Sequence, residues 1–359
     1  MALMSKASVL SSLAKIPWTN LAAVIAVAIA VALIAVKNLD ADGSNQLLNV
    51  SYDPTRELYA SLNEQFTAKY EQATGKRLRI KQSHGGSSRQ AKSVIDGEQK
   101  ADVVTLGLFS DVDALRKRGL IAEGWSSRLP HNSQPYYSTI VFVVRKGNPR
   151  RIHDWPDLIE PDVSIITPDP KSSGNGKLSA LAAWGAAIRR GASEAEARDY
   201  LKAFYEHTSV LDAGARGAAI TFAVEKIGDV HLTWEDEALR EAAESKGELE
   251  IVYPPTSIRA EPYVAWVDAN VARDKAEAAA KAYLAFLFTD EAQETIAKFG
   301  FRPINAEILQ KYADRLPKLD LFPVTVVAKD WDDAQQKFFA DNGVIDAVYR
   351  PKPHLFTTP

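Results

Sequence analysis

The chain contains no cysteine. That absence excludes disulfides, thiolate metal sites, a cysteine nucleophile and a lipid-modified cysteine. It leaves the redox compartment open, because a large domain can be exported without disulfides. No block of basic residues occurs either, and the formal net charge is −3. Without residues 1–41, which hold three lysines and Asp40, 40 basic side chains stand against 45 acidic ones. A chain of that balance is poorly suited to non-specific nucleic-acid binding. The six histidines, His84, His131, His153, His207, His231 and His354, form no i,i+4 pair and no HExxH motif, which argues against a dedicated metal site. No short-period repeat is visible.

What is present is globular: 359 residues, 46% of them apolar and 25% charged, enough for about two domains. The exception is residues 21–36, LAAVIAVAIAVALIAV, an unbroken apolar run with Lys6 and Lys15 before it and Lys37 after it. A positive flank followed by an apolar stretch is the plan of an export signal. The run exceeds a typical signal core and falls just short of the ~20 residues that span a bilayer. Residues 1–45 are therefore expected to be a signal peptide or an N-terminal membrane anchor, with everything beyond them delivered across the membrane. The expected location is periplasmic.

After Asn45 strands alternate with helices. Leu47–Tyr52 is apolar and strand-like, and Thr55–Thr74 carries Leu58, Leu62, Phe66 and Tyr70 at a helical spacing that Gly75 ends. Leu78–Gln82 and Asp102–Leu106 read as further strands, with a helix between them running to Ile95 and another, Val112–Arg118, closed by Gly119. A second set follows: strands at Ser138–Arg145, Val163–Thr167, Val230–Trp234, Glu250–Tyr253 and Tyr263–Val267, and helices at Leu178–Arg189, Glu194–Glu206, Lys275–Phe288 and a further one to Lys298. Alternation of this kind implies parallel sheets with helical crossovers, here in two α/β sets joined near 130–137 and 262–270. Ligands of such folds sit where strands end and helices begin.

Four of those junctions share a character. Ser51-Tyr52-Asp53, Ser83-His84-Gly85-Gly86-Ser87-Ser88, Lys171-Ser172-Ser173-Gly174-Asn175-Gly176 and Ala213-Gly214-Ala215-Arg216-Gly217 each place small or hydroxyl residues before a helix. A helix start leaves N–H groups unpaired and attracts an anion. Glycine lets an oxyanion approach the backbone, and serine adds a donor. One such loop is ordinarily just a capped helix; four in one chain point to an anion site. None is a nucleotide loop. Gly176-Lys177 is followed by Leu178 instead of Ser or Thr, the position five before Gly176 is Lys171, and Gly85-Gly86 lacks the dinucleotide spacing. His84 beside Ser83 and Ser87 lacks the GxSxG elbow of a serine hydrolase. Trp234-Glu235-Asp236-Glu237 reads as a solvated helix start.

Eight segments together resemble the periplasmic sulfate-binding proteins of ABC transporters: LLNVSYDPTRELY (47–59), QSHGGSSRQ (82–90), ADVVTL (101–106), STIVFVVRKGNP (138–149), HDWPDL (153–158), TPDPKSSG (167–174), LDAGARG (211–217) and GDVHLTWE (228–235). Thiosulfate-binding proteins have nearly the same loops. The resemblance implies an α/β chain of the type II periplasmic class: two α/β lobes joined by a two-strand hinge, lobe 1 from 46–134 and 268–359, lobe 2 from 135–267. It implies a receptor that closes over a bare tetrahedral dianion and hands it to a membrane permease, as a monomer, with no cofactor, no metal and no catalysis.

By the same resemblance the ligand contacts are the backbone N–H groups of Asp53, Ser87, Gly174, Asn175 and Ala215, the Ser173 hydroxyl and the Trp234 indole N–H. His84 and Arg216 are expected to support these loops from behind, and the Asp53 carboxylate to face a neighbouring loop rather than the anion. Sulfate-binding members often have glycine where this chain has Asn175, as thiosulfate relatives do not. Trp234 fits the sulfate side, and weighs more because its side chain is itself a contact. The expected ligand is sulfate, with thiosulfate second. Molybdate or phosphate receptors, and an exported serine hydrolase, are the alternatives.

Overall fold

The computed structural model describes residues 45–349. The leader or anchor expected at 1–45 lies outside them apart from its last residue. Among the described residues no helix is long and apolar enough to cross a membrane.

The chain opens with Gln46–Tyr52 (β1), Arg79–Gly85 (β2) and Val103–Leu106 (β3), separated by helices Arg56–Thr74 (α1) and Ser87–Ile95 (α2) and followed by Phe109–Lys117 (α3). Helix α1 buries Leu58, Leu62 and Phe66 along one side and stops at Gly75, whose φ of 70° is the left-handed cap that glycine adopts without strain. Next come Tyr136–Arg145 (β4), Ile165–Pro168 (β5), Gly174–Arg189 (α4), Glu194–Glu206 (α5), Thr208–Asp212 (β6), Ala215–Ala219 (α6), Val230–Trp234 (β7), Glu235–Glu244 (α7), Leu249–Val252 (β8) and Ser257–Ala260 (β9). The remainder holds Tyr263–Trp266 (β10), Glu277–Phe286 (α8), Asp290–Lys298 (α9), Arg302–Pro303 (β11) and Leu321–Phe322 (β12).

Two sheets result. The first runs β10-β3-β1-β2, its first three sequence strands parallel and β10 antiparallel on the edge. The second runs β12-β9-β4-β7-β5-β6, with β8 and β11 also paired to the long strand β4. Both faces of each sheet are covered, as parallel pairing by helical crossovers requires. In β4, Ile140, Phe142 and Val144 point into the large central core, while Val141 and Val143 point to a separate cluster with Ile166, Phe222 and Leu249. The first sheet divides its residues likewise, Leu47 and Val103 on one face and Val50 and Val104 on the other. This is the two-lobed α/β arrangement of the type II class.

The lobes' boundaries differ from the sequence expectation in two places. Tyr263–Trp266, grouped with the second lobe, pairs with β3 and belongs to the first sheet. Its apolar residues on both faces suit a site sandwiched between helices, and chain proximity to β9 concealed this. The C-terminal stretch, assigned to the first lobe, returns to the second: β11 pairs with β4 and β12 with β9. Phe322 fills a hollow on α4 that exists because Gly185 lacks a side chain; a Cβ there would lie 2.3 Å from the Phe322 ring. The direct strand-to-strand passages are 107–135 and Glu261-Pro262, and the chain returns to the second sheet at Arg302–Pro303 after α8 and α9.

Candidate functional site

The carboxyl ends of β1, β2, β5, β6 and β7 converge on the cleft between the lobes. There they form a small cavity of about 10 Å³ lined by Tyr52, Asp53, Pro54, Gly86, Ser87, Ser173, Gly174, Asn175, Ala215 and Trp234. All seven residues expected to touch a ligand, Asp53, Ser87, Ser173, Gly174, Asn175, Ala215 and Trp234, stand on this one surface although they span 182 positions of sequence. The space is far below the ~300 Å³ of the smallest drug-sized sites, so it suits a compact ion and not a sugar or peptide.

Each junction is built to turn its backbone inward. After β1 the chain enters a single 3-10 turn, Asp53–Thr55, with Pro54 preset for the helical φ. The turn is pinned by Ser51 Oγ donating to Thr105 O at 3.0 Å and Thr55 Oγ1 donating to Tyr52 O at 2.7 Å. After β2, Gly86 precedes α2, and Ser87 is the first helical residue. The Ser87 hydroxyl is committed elsewhere: it donates to Asp111 Oδ2 at 2.5 Å and accepts from the Gly107 N–H at 3.0 Å. Only its backbone N–H is left for the cavity.

From the second lobe, Ser173 caps α4. Its oxygen accepts from the Gly176 N–H at 3.5 Å, which leaves its proton to donate outward. The N–H groups of Gly174 and Asn175 head a helix of sixteen residues, whose positive dipole end adds to the site's attraction for an anion. Ala215 opens α6, and Trp234, 1% exposed, ends β7 with its ring 5.1 Å from that of Tyr52.

The lobes are in contact across the cleft. A Cβ on Gly86 would lie 2.5 Å from Ser172 O and 2.9 Å from Ala213 O, so first-lobe backbone rests directly on second-lobe carbonyls. The Arg89 N–H donates to Ser172 O at 3.4 Å. Lys177 of α4 reaches Asp111 of α3 at 3.3 Å, both side chains about 5% exposed, and Arg216 reaches Glu57 at 3.0 Å. This is a closed form.

Among the described residues no lysine or arginine lines the cavity. Of the cations near it, Lys177 is held by Asp111, and Arg216 by Glu57 and by Glu237 at 3.3 Å. The Asp53 carboxylate is the one charged group among the lining residues. Its Oδ2 would be 2.3 Å from a Cβ on Gly214, and its Oδ1 lies 3.7 Å from Arg56. It therefore packs on the opposite loop, as expected. Burial pushes its pKa up, against the pull of Arg56, Arg216 and Arg89.

His84 and Arg216 do not line the cavity. The His84 ring lies 3.4 Å from Tyr52 O through Nδ1 and 2.5 Å from Gln82 Oε1 through Nε2, and burial lowers its pKa to about 4. Neither nitrogen meets a serine, so the hydrolase alternative lacks its base. Arg216 ties α6 to α1 and α7.

The reading of Glu235-Asp236-Glu237 as a solvated helix start is overturned, because all three are buried. Arg302 makes a two-point pair with Glu235 at 2.6 and 2.7 Å, and Arg240 and Arg216 hold Glu237. Burial, aided by Glu237, drives the Asp236 carboxyl far above its ordinary value. Asp111 and Lys177 were missed as well. Nothing in their local sequence marks them, since they meet only when the lobes do.

A two-lobed α/β chain with a small closed cleft of neutral donors defines a solute-binding protein. The comparisons with known proteins agree. The family model for bacterial extracellular solute-binding protein matches residues 49–302, and the chain belongs to that family. It is 52% identical over 305 residues to the sulfate-binding protein of Salmonella typhimurium, covering 84% of this chain and 92% of that one. It is 45% identical over 313 residues to the thiosulfate-binding protein of Pseudomonas aeruginosa, covering 87% and 94%. Among solved structures, the sulfate-binding protein SubI of Mycobacterium tuberculosis superimposes with a TM-score of 0.74 at 29% identity, over 82% of this chain and 99% of that one.

Proposed function

We propose that this chain is the extracytoplasmic receptor of an ABC importer for sulfate, with thiosulfate as a weaker ligand. The observation that carries the reading is the cavity itself: compact, closed from both lobes, lined by helix starts, and free of cationic side chains. The similarity to sulfate- and thiosulfate-binding proteins supports it.

The mechanism follows from the donor set. Desolvating a dianion costs many kcal/mol unless hydrogen bonds replace its water. The N–H groups of Asp53 and Ser87 from the first lobe, those of Gly174, Asn175 and Ala215 from the second, the Ser173 hydroxyl and the Trp234 indole supply them. Charge-assisted bonds contribute about 1.5–3 kcal/mol each, so seven suffice for tight binding. Because both lobes donate, the anion bridges them, and its presence favours the closed hinge. Phosphate keeps a proton near neutral pH that needs an acceptor, and a lining of donors leaves that O–H unpaired.

The receptor delivers its ion to the permease and catalyses nothing itself; a separate subunit hydrolyses ATP. Its place is the periplasm, free or anchored through residues 1–45. Titration calorimetry of the purified chain should show one sulfate per chain, weaker thiosulfate, and little heat from phosphate or molybdate. Trp234→Phe removes the indole N–H, and should move the preference toward thiosulfate. A parent chain that ignores sulfate while hydrolysing esters would refute the receptor reading.

A further inference from the structure

Acids are buried in proteins almost only when they are paired, and two of the three that follow Trp234 obey that rule. Arg302 holds Glu235, and Arg216 and Arg240 hold Glu237. Asp236 stands between them in the first turn of α7 and is 5% exposed. Among the described residues none of these guanidinium groups pairs with it, and its Oδ1 is a buried atom without a hydrogen-bond partner. The other titratable groups around α7 are committed elsewhere, His231 to Glu241 at 3.1 Å and Tyr253 to Glu235.

What surrounds Asp236 is polar without being cationic. It rests on the backbone that leads into β11: a Cβ on Gly300 would lie 3.2 Å from its Cα and 3.5 Å from its Cβ. Phe301, next in that stretch, sets its ring 4.9 Å from that of Tyr136, the first residue of β4. The Tyr136 hydroxyl stands beside those of Tyr52 and Tyr59, all three buried and none with a completed hydrogen bond among the described residues. Of the acids nearby, Asp236 acts most strongly on the Tyr52 hydroxyl. Tyr52 in turn lines the anion cavity, with its ring 5.1 Å from that of Trp234. An ionised carboxylate here would be an unpaired buried charge, one tyrosine away from a cavity that receives a dianion. It could also only accept hydrogen bonds, whereas a protonated carboxyl both donates and accepts, as the tyrosine hydroxyls do. Burial and the neighbouring Glu237 hold its proton on.

We propose that Asp236 is a positioning residue of the receptor, a neutral carboxylic acid that joins the Tyr52, Tyr59 and Tyr136 hydroxyls in a hydrogen-bonded floor beneath the anion cavity. It acts through Tyr52, does not touch the ligand, and keeps negative charge away from it. The proposal rests on the receptor function given above. Infrared spectroscopy of the full chain at pH 7 reads the carboxyl directly, because exposed Asp and Glu are ionised there and a protonated acid has its own carbonyl stretch. The parent should show that band, and Asp236→Asn should lack it. No band in the parent, or a band that survives the substitution, overturns the proposal. Calorimetry with sulfate gives the second reading. Asp236→Leu, which fills the space but cannot hydrogen-bond, should weaken sulfate about five- to tenfold by leaving the hydroxyls unpaired. Asp236→Asn, neutral and able to donate and accept, should recover the affinity to within about twofold of the parent. Parent-level affinity in the Leu variant overturns the proposal. So does an Asn variant that binds sulfate several-fold more tightly than the parent, since a negative charge would then have been removed. If Asp236→Leu does not fold, the band and the Asn variant decide. A parent that binds no sulfate refutes the receptor reading, and the floor's role with it, whatever the band shows.

Discussion

Trp234 separates two opposite treatments of negative charge. On one side its indole lines the cleft, where an anion is received by groups that carry no formal charge. On the other, Glu235, Asp236 and Glu237 follow it into the first turn of α7, buried as deeply; Glu235 is matched by Arg302 and Glu237 by Arg240 and Arg216, while burial pushes Asp236 between them toward its neutral form. A permanent charge can be paired permanently. A guest that must leave cannot, because a cation waiting in an empty cleft would itself be a buried, unpaired ion. Helix starts avoid that cost, since their N–H groups are partly solvated when the lobes open and need no counterion when they close.

The contrast is broken most severely on the paired side. Arg302→Met leaves Glu235 buried without its partner, and loss of one member of such a pair costs about 3–5 kcal/mol. Urea unfolding should show that drop in stability, whereas a variant as stable as the parent would mean that Glu235 simply takes up a proton. On the neutral side, Ser173→Ala removes a donor and the cap of α4 together. Sulfate affinity should fall by about 10- to 150-fold, the equivalent of 1.5–3 kcal/mol, with a stability loss of about 1 kcal/mol from the missing cap. An affinity within twofold of the parent would take the hydroxyl out of the site.

Acidification sharpens the same comparison. Burial holds the His84 ring neutral down to a pKa of about 4, below its ordinary 6.5. The unfolded chain binds the proton first, so this group's contribution to stability is complete above pH 6.5 and is lost as the pH falls toward 4. His84→Gln should flatten the fall in melting temperature over that interval; identical slopes would remove His84 as its cause. The smallest effect belongs to Arg216→Ala. Its pair with Glu57 is partly exposed, at 25% and 44% for the two side chains, and such bridges contribute about 0–1 kcal/mol. Sulfate affinity should therefore change by no more than about fivefold. A loss of a hundredfold would show that a charge, not the helix starts, holds the anion.

Much of the fold could be read from residues close in sequence. Glu194–Glu206 and Val230–Trp234 fall at their expected limits, and α1 ends at the expected glycine. Thr208–Asp212 and Ser257–Ala260 were not anticipated as strands. Thr208–Asp212 mixes polar and apolar residues without a clean alternation, and Ser257–Ala260 is only four residues long. The two helices expected from Lys275 to Phe288 and on to Lys298 are α8 and α9, the first beginning two residues later, at Glu277. The loops that line the cleft were legible because glycine and serine before an apolar helix have a local meaning. The partners of those loops were not.

Most of the order of strands and helices, the positions of the helix starts at the cleft and the chemistry of their first residues follow from sequence alone, because backbone geometry and capping act within a few residues. Tertiary structure decided which starts face one another, that Asp53 turns its carboxylate onto Gly214, and that three consecutive acids lie buried, with Glu235 and Glu237 paired to arginines up to 67 positions away. Those outcomes depend on distances between chain segments that only the packed lobes bring to a few ångströms, where desolvation and charge pairing are large enough to choose.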